Sequence, residues 1–157
     1  MKHVLKLQPK YFEYINTGTK RIELRLYDEK RQKINIGDTI IFKREPELEK
    51  NLKVKVIALL RYNSFDELLK DFNIEILADK TITKEELLND LEKYYTINKQ
   101  SKYGVVGIKI EKWYLFRKLE IFLSFRNNLL YLYEITESRR EGLKKEIGIN
   151  YDIFIVI

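Results

Sequence analysis

Gly18-Thr19-Lys20-Arg21-Ile22-Glu23-Leu24-Arg25 gathers an ammonium, a carboxylate and two guanidinium groups into one short stretch. Strand alternation would put Arg21, Glu23 and Arg25 on one face and Ile22, Leu24 and Leu26 on the other, with Lys20 at the mouth of the strand. An amine there could contact phosphate or stabilise an oxyanion, and if desolvated beside Arg25 it could act as a general base. Glu23 could hold the two cations, serve as acid or base, or accept from the amino group of a nucleobase. Arg25 suits bidentate work on phosphate or carboxylate, and Arg21 suits a phosphate contact. The plain alternative is a set of surface ion pairs, which contribute little.

The elements that must position this cluster are legible on either side of it. His3 to Leu7 alternates as a strand. Pro9 fits a first helical position, Tyr11, Phe12 and Ile15 follow at helical spacing, and Gly18 fits the position that ends a helix. After the charged turn from Tyr27 to Lys33, the Gly37-Asp38 pair leads into a strand over Thr39 to Lys43. The alternating run from Leu52 to Arg61 predicts its hairpin partner, with Lys53 and Lys55 outward. Those two lysines form either a basic stripe or a solvated face that discourages edge pairing. Ser64 with Glu67, and Thr83 with Glu86, read as capping boxes opening helices to Phe72 and to about Tyr95. Val105 to Ile110 closes the set as a strand. Tyr27, Tyr62 and Tyr103 fall near strand ends, where a base could stack on them.

Residues 113–157 differ in kind. Trp113 to Ile135 is crowded with apolar and aromatic residues and reads as helix broken at Asn127-Asn128. Glu137 to Glu146 reads as a charged helix and Ile149 to Ile157 as a strand. Charges interrupt the apolar runs before a membrane-length span accumulates, so no membrane crossing is expected and a protein partner for this apolar extension is. The expected organisation is an α+β domain over 1–112 and a mainly helical C-terminal extension over 113–157.

Composition narrows the chemistry. The chain has 157 residues, 30 basic and 24 acidic, for a net charge of +6, and 23 basic against 18 acidic residues fall within 1–112. That excess makes an anionic partner, RNA or nucleotide, the first expectation. With no cysteine and His3 as the sole histidine, thiolate and multi-histidine metal sites are excluded, and a serine triad would need His3. No metal or other cofactor is expected. The N-terminus carries no apolar signal segment, which makes the cytoplasm the expected location.

Gly18, Lys20, Glu23 and Arg25 match the G-x-K-x-x-E-x-R signature of the ASCH domain. The preceding amphipathic helix, the Ile36-Gly37-Asp38 turn, the Ile40-Ile41-Phe42 strand and the closing strand near Tyr103-Gly104 match its context. The first 112 residues or so therefore resemble this family, whose fold is a small mixed PUA-like β-barrel with flanking helices. The resemblance implies RNA or nucleotide binding in a cleft built from Lys20, Glu23 and Arg25. Its alternatives are a ribonuclease, or a metal-independent amidohydrolase acting on a modified nucleoside such as N4-acetylcytidine. In that amidohydrolase branch the lysine, here Lys20, works with a threonine and a distal glutamate. Position 23 holds Glu instead of that threonine, and Glu85 and Glu86 stand as candidates for the distal acid.

Overall fold

Apolar alternation and a glycine stop build the first unit. β1 (Lys2–Leu7) leads through Pro9 into α1 (Pro9–Thr17), which buries Phe12 and Ile15. Gly18 ends the helix at φ 88°, a conformation that costs a residue without a Cβ nothing, and its N–H donates to Ile15 O. β2 (Ile22–Leu26) follows, then β3 (Thr39–Arg44) and the long β4 (Asn51–Tyr62). The computed structural model describes residues 1–113, within one compact unit, Met1–Phe116. The helices, strand and apolar partner surface expected beyond residue 113 lie outside the described residues.

Ser64 caps α2 (Phe65–Asp71) by accepting from the Glu67 N–H, but Glu67 turns back to the Asn63 N–H, so only half of that capping box forms. The short α3 (Ile74–Leu77) comes next. The Thr83–Glu86 box is complete and opens α4 (Lys84–Glu92), which ends before the expected Tyr95. α5 (Ile97–Tyr103) and β5 (Val105–Lys112) complete the set.

The five strands form one mixed sheet in the order β1-β3-β4-β5-β2. β1 runs parallel to β3, β3 and β4 are the expected antiparallel pair, and β5 pairs antiparallel with both β4 and β2. A bulge between Val56 and Ala58 bends β4. The sheet curls until its two ends approach: Arg25 Nη2 on β2 donates to Lys6 O on β1 at 2.8 Å. No ladder joins β1 to β2, so the expected barrel is a half-barrel, its seam crossed by a side chain.

Inside the curl, Leu7, Phe12, Ile15, Ile40, Phe42, Val54 and Ile108 form one core cluster. The other face of β2 carries Ile22, Leu24 and Leu26 against Phe65, Leu68, Leu77 and Leu87 from the helices. Phe42 and Phe65 are both fully buried, each contributing about 1.5–3 kcal/mol over an exposed ring. The two layers meet closely at Gly107, where a Cβ would lie 3.0 Å from Ile22 Cγ2 and 3.2 Å from Leu68 Cδ1. Gly107→Ala is therefore expected to cost about 1–2 kcal/mol through overpacking. Denaturant unfolding reads it, and an unchanged midpoint would mean that α2 can back away from the sheet.

Candidate functional site

β2 points Glu23 and Arg25 away from the helix-covered core, toward the seam. The turn after Gly18 brings Lys20 beside them, held by its N–H donating to Tyr14 O at 2.9 Å. The three side chains line one cleft of about 680 Å³. Its walls are β1 from Val4 to Leu7, Gln8 and Tyr11 at the start of α1, and Leu87, Asp90 and Leu91 of α4 with Tyr94 and Tyr95 just beyond.

The charged centre is a mutually satisfied network. Lys20 is 3% exposed; its Nζ donates to Leu77 O at 2.5 Å and lies 3.6 Å from Glu23 Oε2 and 5.4 Å from the Tyr11 ring centroid. Glu23 is 4% exposed and accepts from Arg25 Nε through Oε1 at 2.8 Å. Arg25 Nη1 donates to the Tyr95 hydroxyl at 3.1 Å and Nη2 to Lys6 O, so the guanidinium ties α4's end to both sheet edges. Burial pushes the Lys20 amine below its ordinary value; Glu23 opposes that shift and Arg25 adds to it. For Arg25, burial acts to lower the value, but Glu23 and Tyr95 outweigh it and hold the guanidinium above its usual range.

Tyr11 feels both its burial and the carboxylates of Asp90 and Glu23, which push its phenol up from 10.0 to about 12. The folded chain thus holds that proton more tightly than the unfolded one. The resulting stabilisation is present at neutral pH and is lost as pH climbs through about 12. Ultraviolet titration of the tyrosines should show a component ionising near 12 that disappears in Tyr11→Phe. Ionisation of Tyr11 near 10 would mean that its ring is open to water.

Other residues singled out by the sequence lie elsewhere. Arg21 is exposed and outside the cleft lining, because the regular strand begins only at Ile22. Glu86 is exposed, with Oε2 engaged as acceptor of the Thr83 N–H at 2.7 Å, so it caps α4 and does not reach the cleft. One turn further along, Asp90 is the α4 carboxylate that does. Glu85 is exposed and likewise outside. Tyr62 donates to Asp71 Oδ2 at 2.7 Å and packs edge-on against Phe72. Tyr103 lies at the end of α5 with Lys102 over its ring, and Tyr27 lies under Arg61. None of these three lines the cleft. The cleft's aromatics are Tyr11, Tyr94 and Tyr95 instead. His3 bonds Asp38 Oδ2 at 2.8 Å, where the Asn35 N–H also donates, away from the cleft. Lys53 and Lys55 sit over the Trp113 ring at 3.7 and 5.1 Å.

Gln100 escaped sequence reading because it lies in a polar segment with no apolar stripe. It is buried; its Oε1 accepts from the Phe65 N–H at 2.9 Å and its Nε2 donates to Tyr95 O at 2.9 Å. It fixes the residue whose hydroxyl receives Arg25. Among the described residues, no cluster of His, Cys, Asp or Glu could hold a metal ion, and no helix is long and apolar enough to cross a membrane.

Solved structures carry the same fold. A hypothetical protein, PH0355, is 42% identical with a TM-score of 0.64, the match covering 71% of this chain and 99% of that one. Protein PF0455 from Pyrococcus furiosus is 38% identical with a TM-score of 0.58, covering 72% and 98%. A mutant of ZmASCH from Zymomonas mobilis, at 12% identity and a TM-score of 0.52 over 71% and 68%, shares the fold alone. No curated protein sequence matches. The ASCH domain profile spans residues 5–113, the span that holds β2 to β5 and the Lys20–Glu23–Arg25 network, and the chain belongs to the ASCH domain family.

Proposed function

We propose that residues 1–112 form a nucleotide-binding unit that takes one nucleotide of a single-stranded RNA, or a free nucleoside, into the cleft between β1, β2 and α4. The observation that carries this reading is the convergence of Lys20, Glu23 and Arg25 with Tyr11, Tyr94 and Tyr95 on one cavity. Its volume of about 680 Å³ suits one small ligand and not a duplex. Five cationic side chains (Lys6, Lys20, Arg25, Lys30 and Arg31) against three carboxylates (Glu23, Glu45 and Asp90) give the lining a formal charge of +2. Tyrosine rings offer faces for a base. Because Lys20, Glu23 and Arg25 are occupied with one another, they shape the floor of the cleft, and exposed Lys30 at its rim is the phosphate contact.

Titration of a labelled single-stranded oligoribonucleotide at two salt concentrations tests this. Affinity is expected to fall with salt, with a shallow slope of about −1 to −2 on logarithmic axes, as a few phosphate contacts require. Lys30→Ala should weaken binding and flatten that slope, and Arg25→Lys should weaken it while the chain stays folded. Affinity indifferent to salt and to both substitutions would remove the cleft as an RNA site.

The burial-lowered Lys20 amine favours a second reading, a metal-independent amidohydrolase in which Lys20 is the base. The tight fit of Glu23 between two cations weighs for a positioning carboxylate at that position. Incubation with N4-acetylcytidine and chromatography for cytidine decides it: no product at high protein concentration ends this reading.

A further inference from the structure

The seam leaves one strand edge facing the cleft. Thr39 N–H donates to Met1 O and Glu45 N–H donates to Leu7 O. With the parallel register of β1 on β3, those bonds turn the odd-numbered residues of β1 toward β3 and the even-numbered ones away from it. Val4 and Lys6 therefore aim their backbone N–H and C=O at the unpaired side, where β1 ends the sheet and where both residues line the cavity. Arg25 Nη2 takes the Lys6 C=O. Among the described residues, the Val4 C=O and the Lys6 N–H remain, an acceptor and a donor two residues apart on extended chain.

Resting on the nucleotide-binding reading above, we infer that this edge reads the base: the Val4 C=O accepts from a donor on the base, and the Lys6 N–H donates to the ring acceptor beside it. A base with an exocyclic amino group beside an unprotonated ring nitrogen on its Watson–Crick edge, adenine or cytosine, presents that donor–acceptor pair. An extended peptide would also match a strand edge. The cleft disfavours it, because Arg25 already crosses the seam at Lys6 and blocks continuation of a ladder along β1. Tyr11, Tyr94 and Tyr95 line the same space and supply ring faces for a planar ligand. The specificity then lies in main chain, which explains why the residue types of β1 carry no sign of it.

Proline tests the donor directly. Lys6→Pro and Lys6→Ala both delete the side chain, but only proline deletes the N–H, and the β3 ladder does not use that N–H. Binding of adenosine and cytidine is expected to be at least about 10-fold weaker in Lys6→Pro than in Lys6→Ala, a difference of about 1.4 kcal/mol. In parallel, amide resonances of the wild-type protein are followed by NMR as each of the four ribonucleosides is added. Adenosine and cytidine should shift the Lys6 amide, and uridine should shift it less. This second measurement stands if the proline variant fails to fold. Nucleoside shifts at Leu91 and Tyr95 with Lys6 unmoved would overturn the edge reading and leave the cleft's nucleotide reading intact. No shift in the cleft with any nucleoside or with the oligoribonucleotide would overturn both. Shifts of Lys6 produced by an unstructured peptide and not by nucleosides would replace the base with a peptide strand.

Discussion

Glu23→Ala is expected to destabilise the protein by about 3–5 kcal/mol, the cost of leaving buried cations without their counter-charge. Glu23 is the sole carboxylate within ion-pair distance of both Lys20 and Arg25 among the described residues, at 3.6 and 2.8 Å. The variant should also show a steeper pH dependence than the wild-type chain. The folded Lys20 amine already sits below its ordinary 10.5, and without Glu23 it falls further. The unfolded state then binds that proton more tightly, so stability is gained as pH rises from the folded value toward 10.5. Lys20→Met serves as the comparison: it removes the buried amine, leaves Glu23 paired with Arg25, and should cost less than Glu23→Ala by at least about 2 kcal/mol. Urea unfolding across a pH series measures both. Equal losses in the two variants would mean that water reaches the network and compensates it.

Gln100→Ala should cost about 2–4 kcal/mol, because two hydrogen bonds vanish and the Phe65 N–H is left buried without a partner. The effect should extend beyond stability. Gln100 holds the Tyr95 carbonyl, Phe65 packs on the Tyr95 ring at 5.5 Å between centroids, and the Tyr95 hydroxyl holds Arg25. Loosening Tyr95 should free one arm of the Arg25 guanidinium, seen as faster hydrogen exchange of its Nη1–H by NMR. Gln100→Glu keeps the acceptor for Phe65 and loses the donor to Tyr95, so it should recover part of the stability while the Arg25 signal still exchanges faster. An unchanged Arg25 signal in both variants would limit Gln100 to a structural role at Phe65.

The early chain was readable because its signals are local. Pro9, the Phe12–Ile15 stripe and Gly18 mark α1, and the alternation of β2 separates Glu23 and Arg25 from Ile22, Leu24 and Leu26. Thr83 and Glu86 marked the start of α4 for the same reason, and that local role is what keeps Glu86 out of the cleft. What stayed hidden depends on partners distant in sequence. The parallel pairing of β1 with β3 leaves no local trace, and without it the seam and the even-numbered edge of β1 cannot be placed. Tyr94 and Tyr95 enter the site only because α4 stops at Glu92 and the chain turns there. α5 buries a glutamine in place of an apolar face, so periodicity has nothing to detect.

The Arg25–Lys6 bond has a consequence for how the protein behaves in company. Among the described residues the curled sheet has two unpaired ends, and such ends are places where another chain could add a strand and begin to polymerise. Arg25 interrupts one of them by occupying the Lys6 carbonyl, so that a strand laid along β1 loses a rung there. The same guanidinium that shapes the cleft thus guards against self-assembly. Variants that loosen it should reveal themselves first as concentration-dependent oligomers in light scattering, before any loss of helix or sheet is visible.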